Sequence, residues 1–102
     1  MHKIMNFIDG KLVAPVSGAY FDTFEPAVGK PYAQVPDSDA KDLNIAVAAA
    51  KKAFPAWRDT PPEKRAQMLE KLASLMEAKK DEFIRAESID TGKPLWLAAS
   101  VD

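Results

Sequence analysis

Cysteine is absent from the 102 residues of this chain. That excludes disulfides, thiolate zinc sites and any reaction carried by a thiol nucleophile on these residues. It is compatible with the cytosol. Long hydrophobic runs are missing too: none approaches the roughly 18 residues needed to span a bilayer. The opening Met1-His2-Lys3-Ile4-Met5 lacks the continuous apolar segment of a secretory signal. A cytoplasmic protein with no membrane contact is expected. Charge of one sign is also lacking. The 14 Lys and Arg against 15 Asp and Glu leave a formal net charge of −1, which gives nucleic acid no footprint. Glycine is sparse, and none of Gly10, Gly18, Gly29 and Gly92 stands in the strand, glycine loop and helix context that cradles phosphate. The one histidine, His2, falls in a terminus expected to be mobile and exposed.

With 47% apolar and 28% charged residues, the composition is that of a globular chain rather than a disordered one. Its character changes near Pro36. Residues 1–37 read as β-hairpins and residues 38–102 as helices. Asn6-Phe7-Ile8 and Lys11-Leu12-Val13 flank Asp9-Gly10, the dipeptide that suits a type I′ turn because both central residues need positive φ. Phe21-Asp22-Thr23-Phe24 and Tyr32-Ala33-Gln34-Val35 read as a second strand pair around the turn Pro26-Ala27-Val28-Gly29. Neither hairpin is long or apolar enough to stand alone.

The helical half carries clear stripes. Leu43, Val47, Ala50, Phe54 and Trp57 recur at spacings of four and three, so they share one helix face. Ser38 or Asp39 is the expected cap, and Pro55 is expected to end or kink this helix. Thr60-Pro61-Pro62-Glu63 predicts a capping box with Thr60 at N-cap, Pro61 at N1 and Glu63 at N3. Leu69, Leu72, Ala73 and Met76 form the predicted buried face of the second helix. At Lys79-Lys80-Asp81-Glu82 cations meet acids, which marks either a helix end followed by a new start or one unbroken helix to Asp90. Gly92 is placed to end the helix in the left-handed conformation, and Pro94 to open another at N1.

Most side chains that could be read as functional have a plainer reading. The pairs Lys51-Lys52 and Lys79-Lys80, the second beside Asp81 and Glu82, read as solvated helix faces, and Lys93 reads as a solvated lysine after a cap. Trp57 and Trp96 read as packing anchors. Glu87 and Asp90 lie three apart on a helix but have no nucleophile or metal partner, so helix-end capping or solvation is expected.

In order along the chain, Asn6-Phe7-Ile8-Asp9-Gly10, Phe24-Glu25-Pro26-Ala27-Val28-Gly29-Lys30, Ala46 to Trp57, Glu63-Lys64-Arg65 with Leu69, and Glu87 to Pro94 resemble the aldehyde dehydrogenase superfamily. Glu25 and Lys30 depart from the asparagine and glutamate usual in the second hairpin. Asn6 to Lys11 with Ala86-Glu87-Ser88 is similar to the muconic-semialdehyde branch. The resemblance implies an α/β fold, with these hairpins and helices flanking the Rossmann-like cofactor-binding domain, which is incomplete in this chain. It implies an intact enzyme that uses NAD or NADP to oxidise an aldehyde, and that acts as a homodimer or homotetramer. Its cysteine nucleophile is not among these residues, so the chain alone is expected to be inert and to hold no cofactor. The resemblance also implies a monovalent-cation site in the intact enzyme, to which Thr23, with Phe24, and Asp102 correspond by motif position. The alternative is a non-catalytic helical or regulatory module docking on a full-length dehydrogenase. Expressed alone, the chain is expected to be marginal, partly molten and prone to self-association.

Overall fold

The computed structural model describes residues 1–101 and comprises five strands followed by four helices. Strands β1 (His2–Lys3), β5 (Lys30–Pro36) and β4 (Tyr20–Glu25) form one sheet in that order, and β2 (Asn6–Ile8) pairs with β3 (Lys11–Val13) in another. The helices are α1 (Ala40–Asp59), α2 (Pro62–Ala78), α3 (Lys80–Thr91) and α4 (Leu95–Val101). Two compact units separate. One holds Met1–Phe24 with Pro31–Asp59; the other holds Glu25–Lys30 with the chain from Thr60 onward.

In the first unit, the β2–β3 hairpin pairs antiparallel with Asn6 opposite Val13 and Ile8 opposite Lys11. Asp9 (φ 53°) and Gly10 (φ 74°) both take positive φ, the geometry that Asp-Gly signals. In the second pair, the four residues between β4 and β5 permit only antiparallel pairing. The expected mobile terminus is instead strand β1, parallel to β5 with His2 opposite Ala33 and Lys3 opposite Gln34. The Ile4 N–H extends the ladder to the Gln34 carbonyl at 2.8 Å. His2 remains exposed there.

Helix α1 passes through Pro55 rather than ending at it. Proline forfeits one backbone bond, that to the Lys51 carbonyl. Both residues are exposed, so water can take the vacant acceptor, and the flanking alanines favour helix.

In the second unit, α2 begins one residue later than the capping box predicts. Pro61 is the N-cap at φ −55°, ψ 141°, and no side chain caps the end. The cause is Pro62, whose ring bars the preceding residue from helical ψ, so Pro61 cannot be N1. The Pro61 carbonyl then accepts from the N–H groups of Lys64 (3.0 Å) and Arg65 (3.1 Å). Of the two readings at Lys79, the break is correct: α2 ends, Lys79 sits at φ −112°, and its carbonyl receives Glu82 and Phe83 as α3 starts. Gly92 closes α3 at φ 76°, with its N–H on the Ser88 carbonyl at 2.9 Å. Pro94 lies one place before N1 of α4 and accepts from Leu97 and Ala98.

The predicted buried faces are open. Leu43 on α1 is 62% exposed, and Trp96 on α4 is 70% exposed. No large side chain among the described residues is fully buried; the buried apolar residues among them are Pro15, Ala33 and Ala98. Amphipathic stripes form whether or not a partner covers them, so periodicity reported the faces without reporting their cover.

Candidate functional site

Polar order in the first unit gathers where α1 begins. Asp39, not Ser38, is the cap: its Oδ1 accepts the N–H groups of Lys41 (2.9 Å) and Asp42 (3.4 Å). Asp42 reciprocates, with Oδ2 accepting the Asp39 N–H at 3.1 Å, so two aspartates make a box of the Ser-x-x-Glu type. The other oxygen of Asp42 accepts the Val16 N–H at 2.8 Å, tying the loop after β3 to the helix start. Asp42 is thereby 4% exposed, the one buried charged residue among those described. Ser38 serves elsewhere. Its Oγ accepts from Asn6 Nδ2 at 2.9 Å and holds β2 beside the helix. An open recess of about 610 Å³ lies between β2 and this start, edged by Phe7, Asp39 and Leu43. Nearby, Tyr20 donates to Met5 Sδ at 3.4 Å, and the Lys3 ammonium sits 4.6 Å from the Tyr20 ring centroid.

In the second unit the chemistry collects at the end of α3. Thr91 Oγ1 donates to the Glu87 carbonyl (2.8 Å) and accepts the Lys93 N–H (3.2 Å), straddling Gly92. Lys93 Nζ reaches Glu87 Oε1 at 3.5 Å, with both side chains partly covered, so Lys93 is a paired lysine rather than a solvated one. Glu87 takes the same pair instead of capping, and Asp90 also has a partner. A Cβ at Gly92 would stand 3.4 Å from the Pro26 Cβ, so the turn between β4 and β5 packs on this cap. A groove of about 590 Å³ runs beside α2, α3 and α4, lined by Met76, Phe83, Ile84, Glu87 and Ala98 among others.

Thr23 lies half-buried on β4, at the edge of its sheet. Asp102 lies outside the described residues. No group of three or more His, Cys, Asp or Glu suited to a metal occurs among the described residues. Nor do the residues here fit a dinucleotide. Each glycine has positive φ in a separate place: Gly10 and Gly29 in hairpin turns, Gly18 in the loop before β4, Gly92 at a helix end. None lies between a strand and the N-terminus of a helix, where phosphate is held. Sequence reasoning missed the double role of Asp42. An aspartate in the first turn was visible as a favourable charge, but its bond to Val16 spans 26 residues and leaves no local signal.

No helix among the described residues is long and apolar enough to cross a membrane. Residues 13–102 match the profile described as the aldehyde dehydrogenase family. The 2-aminomuconic semialdehyde dehydrogenase of Danio rerio is 48% identical over 97 residues, covering 95% of this chain and 20% of the relative. Among solved structures, PnpE in complex with nicotinamide adenine dinucleotide superposes with a TM-score of 0.93 at 35% identity, covering 96% of this chain and 20% of that one. An NADP-dependent enzyme of E. coli gives 0.92 at 31% identity, again covering 96% and 20%. The chain thus spans about a fifth of the length of the relatives it matches.

Proposed function

The chain belongs to the aldehyde dehydrogenase family, and from that premise we propose that it is the amino-terminal portion of an enzyme that oxidises an aldehyde, a semialdehyde foremost, to a carboxylate with NAD or NADP. The observation that carries this reading is a match running almost end to end of the chain in sequence and in backbone together. The semialdehyde preference is supported by the activity for which the relatives are named and by the likeness of Asn6 to Lys11 and Ala86-Glu87-Ser88 to that branch, since this chain contributes no substrate-lining residue to the reading.

In this proposal the segment is frame rather than catalyst. Its hairpins and helices flank the Rossmann-like domain, and the open faces of α1 and α2 are surfaces for that domain. The missing thiol and the four dispersed glycines support that reading, since a thiol nucleophile and a glycine-built phosphate cradle are both lacking. The cofactor, when bound to the whole enzyme, accepts the hydride; these residues do not hold it. Thr23 and Asp102 belong to the proposal as contributors to a monovalent-cation site. So do cytoplasmic residence and assembly as a homodimer or homotetramer.

The test is direct. Titrating the purified chain with NAD and with NADP by calorimetry, then assaying it with aliphatic aldehydes and semialdehydes, is expected to give no binding heat and no reduced cofactor. Saturable cofactor binding by these 102 residues would overturn the assignment of the segment as frame.

A further inference from the structure

The turn between β2 and β3 holds a reactive pair in an unobstructed place. Asp9 is the one aspartate in the chain that a glycine follows. Both residues are exposed, and the Asp9 carboxylate meets no donor among the described residues. A Cβ built on Gly10 would find nothing within 4 Å, so no neighbour crowds the peptide between them.

In such a pair the Gly10 amide nitrogen can attack Cγ of the protonated Asp9 carboxyl. An N–Cγ bond forms, the Cγ–OH bond breaks, and the hydroxyl leaves with the amide proton as water. The five-membered imide that results holds ψ of Asp9 at about −120°, the value at the first central residue of a type II′ turn. With φ of 53° and 74°, Asp9 and Gly10 form the type I′ turn, whose ψ at that residue is about +30°. The two turns share φ at Asp9 and differ by a flip of the central peptide. That flip takes Gly10 to negative φ, which glycine adopts as readily as positive φ. Both turns close a two-residue hairpin, so the ring can form without the ladder opening. At the first position type II′ suits glycine better than aspartate, so the flipped turn is visited rather than held.

The other described aspartates lack this freedom. Asp22 lies in β4, and Asp42, Asp59, Asp81 and Asp90 lie in helices, where ψ is far from the imide value. Asp39 has its carboxylate in the α1 cap. Asp37 precedes Ser38, but its N–H is tied to the Ala19 carbonyl at 2.9 Å, and Ser38 Oγ accepts from Asn6 at 2.9 Å. The peptide between them is held at both ends.

We infer that Asp9 is a site of spontaneous backbone modification, at which the folded β2–β3 turn converts aspartate through a cyclic imide to isoaspartate. Water opens the ring at either carbonyl. Addition at Cγ breaks the N–Cγ bond and restores aspartate. Addition at the main-chain carbonyl breaks its bond to nitrogen, and the chain then runs through Cβ and Cγ. That product lengthens a two-residue loop whose size sets Ile8 opposite Lys11 and Asn6 opposite Val13. Because Asn6 also holds Ser38, the slip loosens β2 from the start of α1. The inference needs only the hairpin and stands whether or not the segment is frame.

The full chain is aged in warm heavy-oxygen water, folded and in urea, then digested in ordinary water and mapped by mass spectrometry. Passage through the ring leaves one heavy oxygen on residue 9 whichever way it opens. Label is expected there in the folded chain, within about a hundredfold of the rate in urea, with Asp37 far behind. Sucrose, which stabilises the folded state, is expected to leave that rate unchanged. Asp9→Asn, which keeps the turn and releases ammonia in place of water, is expected to convert faster. The isoaspartate fraction is expected to lose amide protection at Ile8 and Lys11 while Val16 keeps its own. Label confined to urea, or label that falls as sucrose is added, overturns the inference, because the fold would then be blocking the reaction. So does an Asp9→Asn chain that stays intact while folded. Ile8 and Lys11 unprotected in the fresh chain, or still protected in the isoaspartate fraction, overturn it through the register.

Discussion

Replacing Asp42 by alanine removes two acceptor oxygens at once. The Val16 N–H loses a 2.8 Å bond to a carboxylate, and the Asp39 N–H loses one of 3.1 Å at the helix start. Hydrogen bonds to charged groups contribute about 1.5–3 kcal/mol each, and helix caps about 1 kcal/mol. Val16 is 53% exposed, so water can recover part of the first loss. The net cost is therefore roughly 2–3 kcal/mol, or a rise of about 30- to 150-fold in the local opening constant. Amide hydrogen exchange reads this residue by residue. Asp42→Ala is expected to strip protection from Val16 and Asp39 and to fray the first turn of α1, while the β2–β3 ladder is spared. Asp42→Asn, which keeps one carbonyl acceptor, should lie between. Unchanged protection at Val16 in Asp42→Ala, with α1 still helical, would refute the reasoning. So would an unprotected Val16 in the unsubstituted chain.

Gly92→Ala forces a Cβ into φ 76° beside Pro26; a loss of about 1–2 kcal/mol in urea unfolding is expected, with Gly92→Asn losing less. Pro62→Ala lifts the bar on Pro61, so α2 should start one residue earlier with Thr60 at N-cap; exchange protection appearing at the Glu63 amide checks it. Pro55→Ala restores the bond to the Lys51 carbonyl in mid-α1, and a gain of about 1–3 kcal/mol is expected in the same urea measurement.

Local backbone chemistry explains why some of the fold was legible in the residues and some was not. Asp9-Gly10 and Gly92 tolerate positive φ where most residues do not, and they stand between strand-like and helix-like runs, so the first hairpin turn and the end of α3 could be placed from sequence. The change from cations to acids at Lys79 marked the place of the α2–α3 junction but left a break and an unbroken helix equally open, because charge at helix ends biases the backbone without fixing it. Strand β1 could not be read, because two residues pairing with a strand 31 positions on carry no period of their own. The start of α2 was displaced because Thr60 and Glu63 suited a capping box, but the prolines between them decided the backbone. Burial was the least legible property. Leu43, Leu69 and Trp96 have the pattern of core residues and lie open on this chain. Of the candidate site, Thr23 could be placed on its strand, whereas the Asp42–Val16 link depends on tertiary approach and the Lys93–Glu87 pair on the chain folding back across the Gly92 cap.

The most direct measurement of the segment's role replaces the matched fifth of the Danio rerio dehydrogenase with this chain and follows NADH formation from a semialdehyde. A folded fusion that turns over, beside an isolated chain that does not, is the expected result. A fusion that folds, binds NAD and leaves the aldehyde untouched would contradict it.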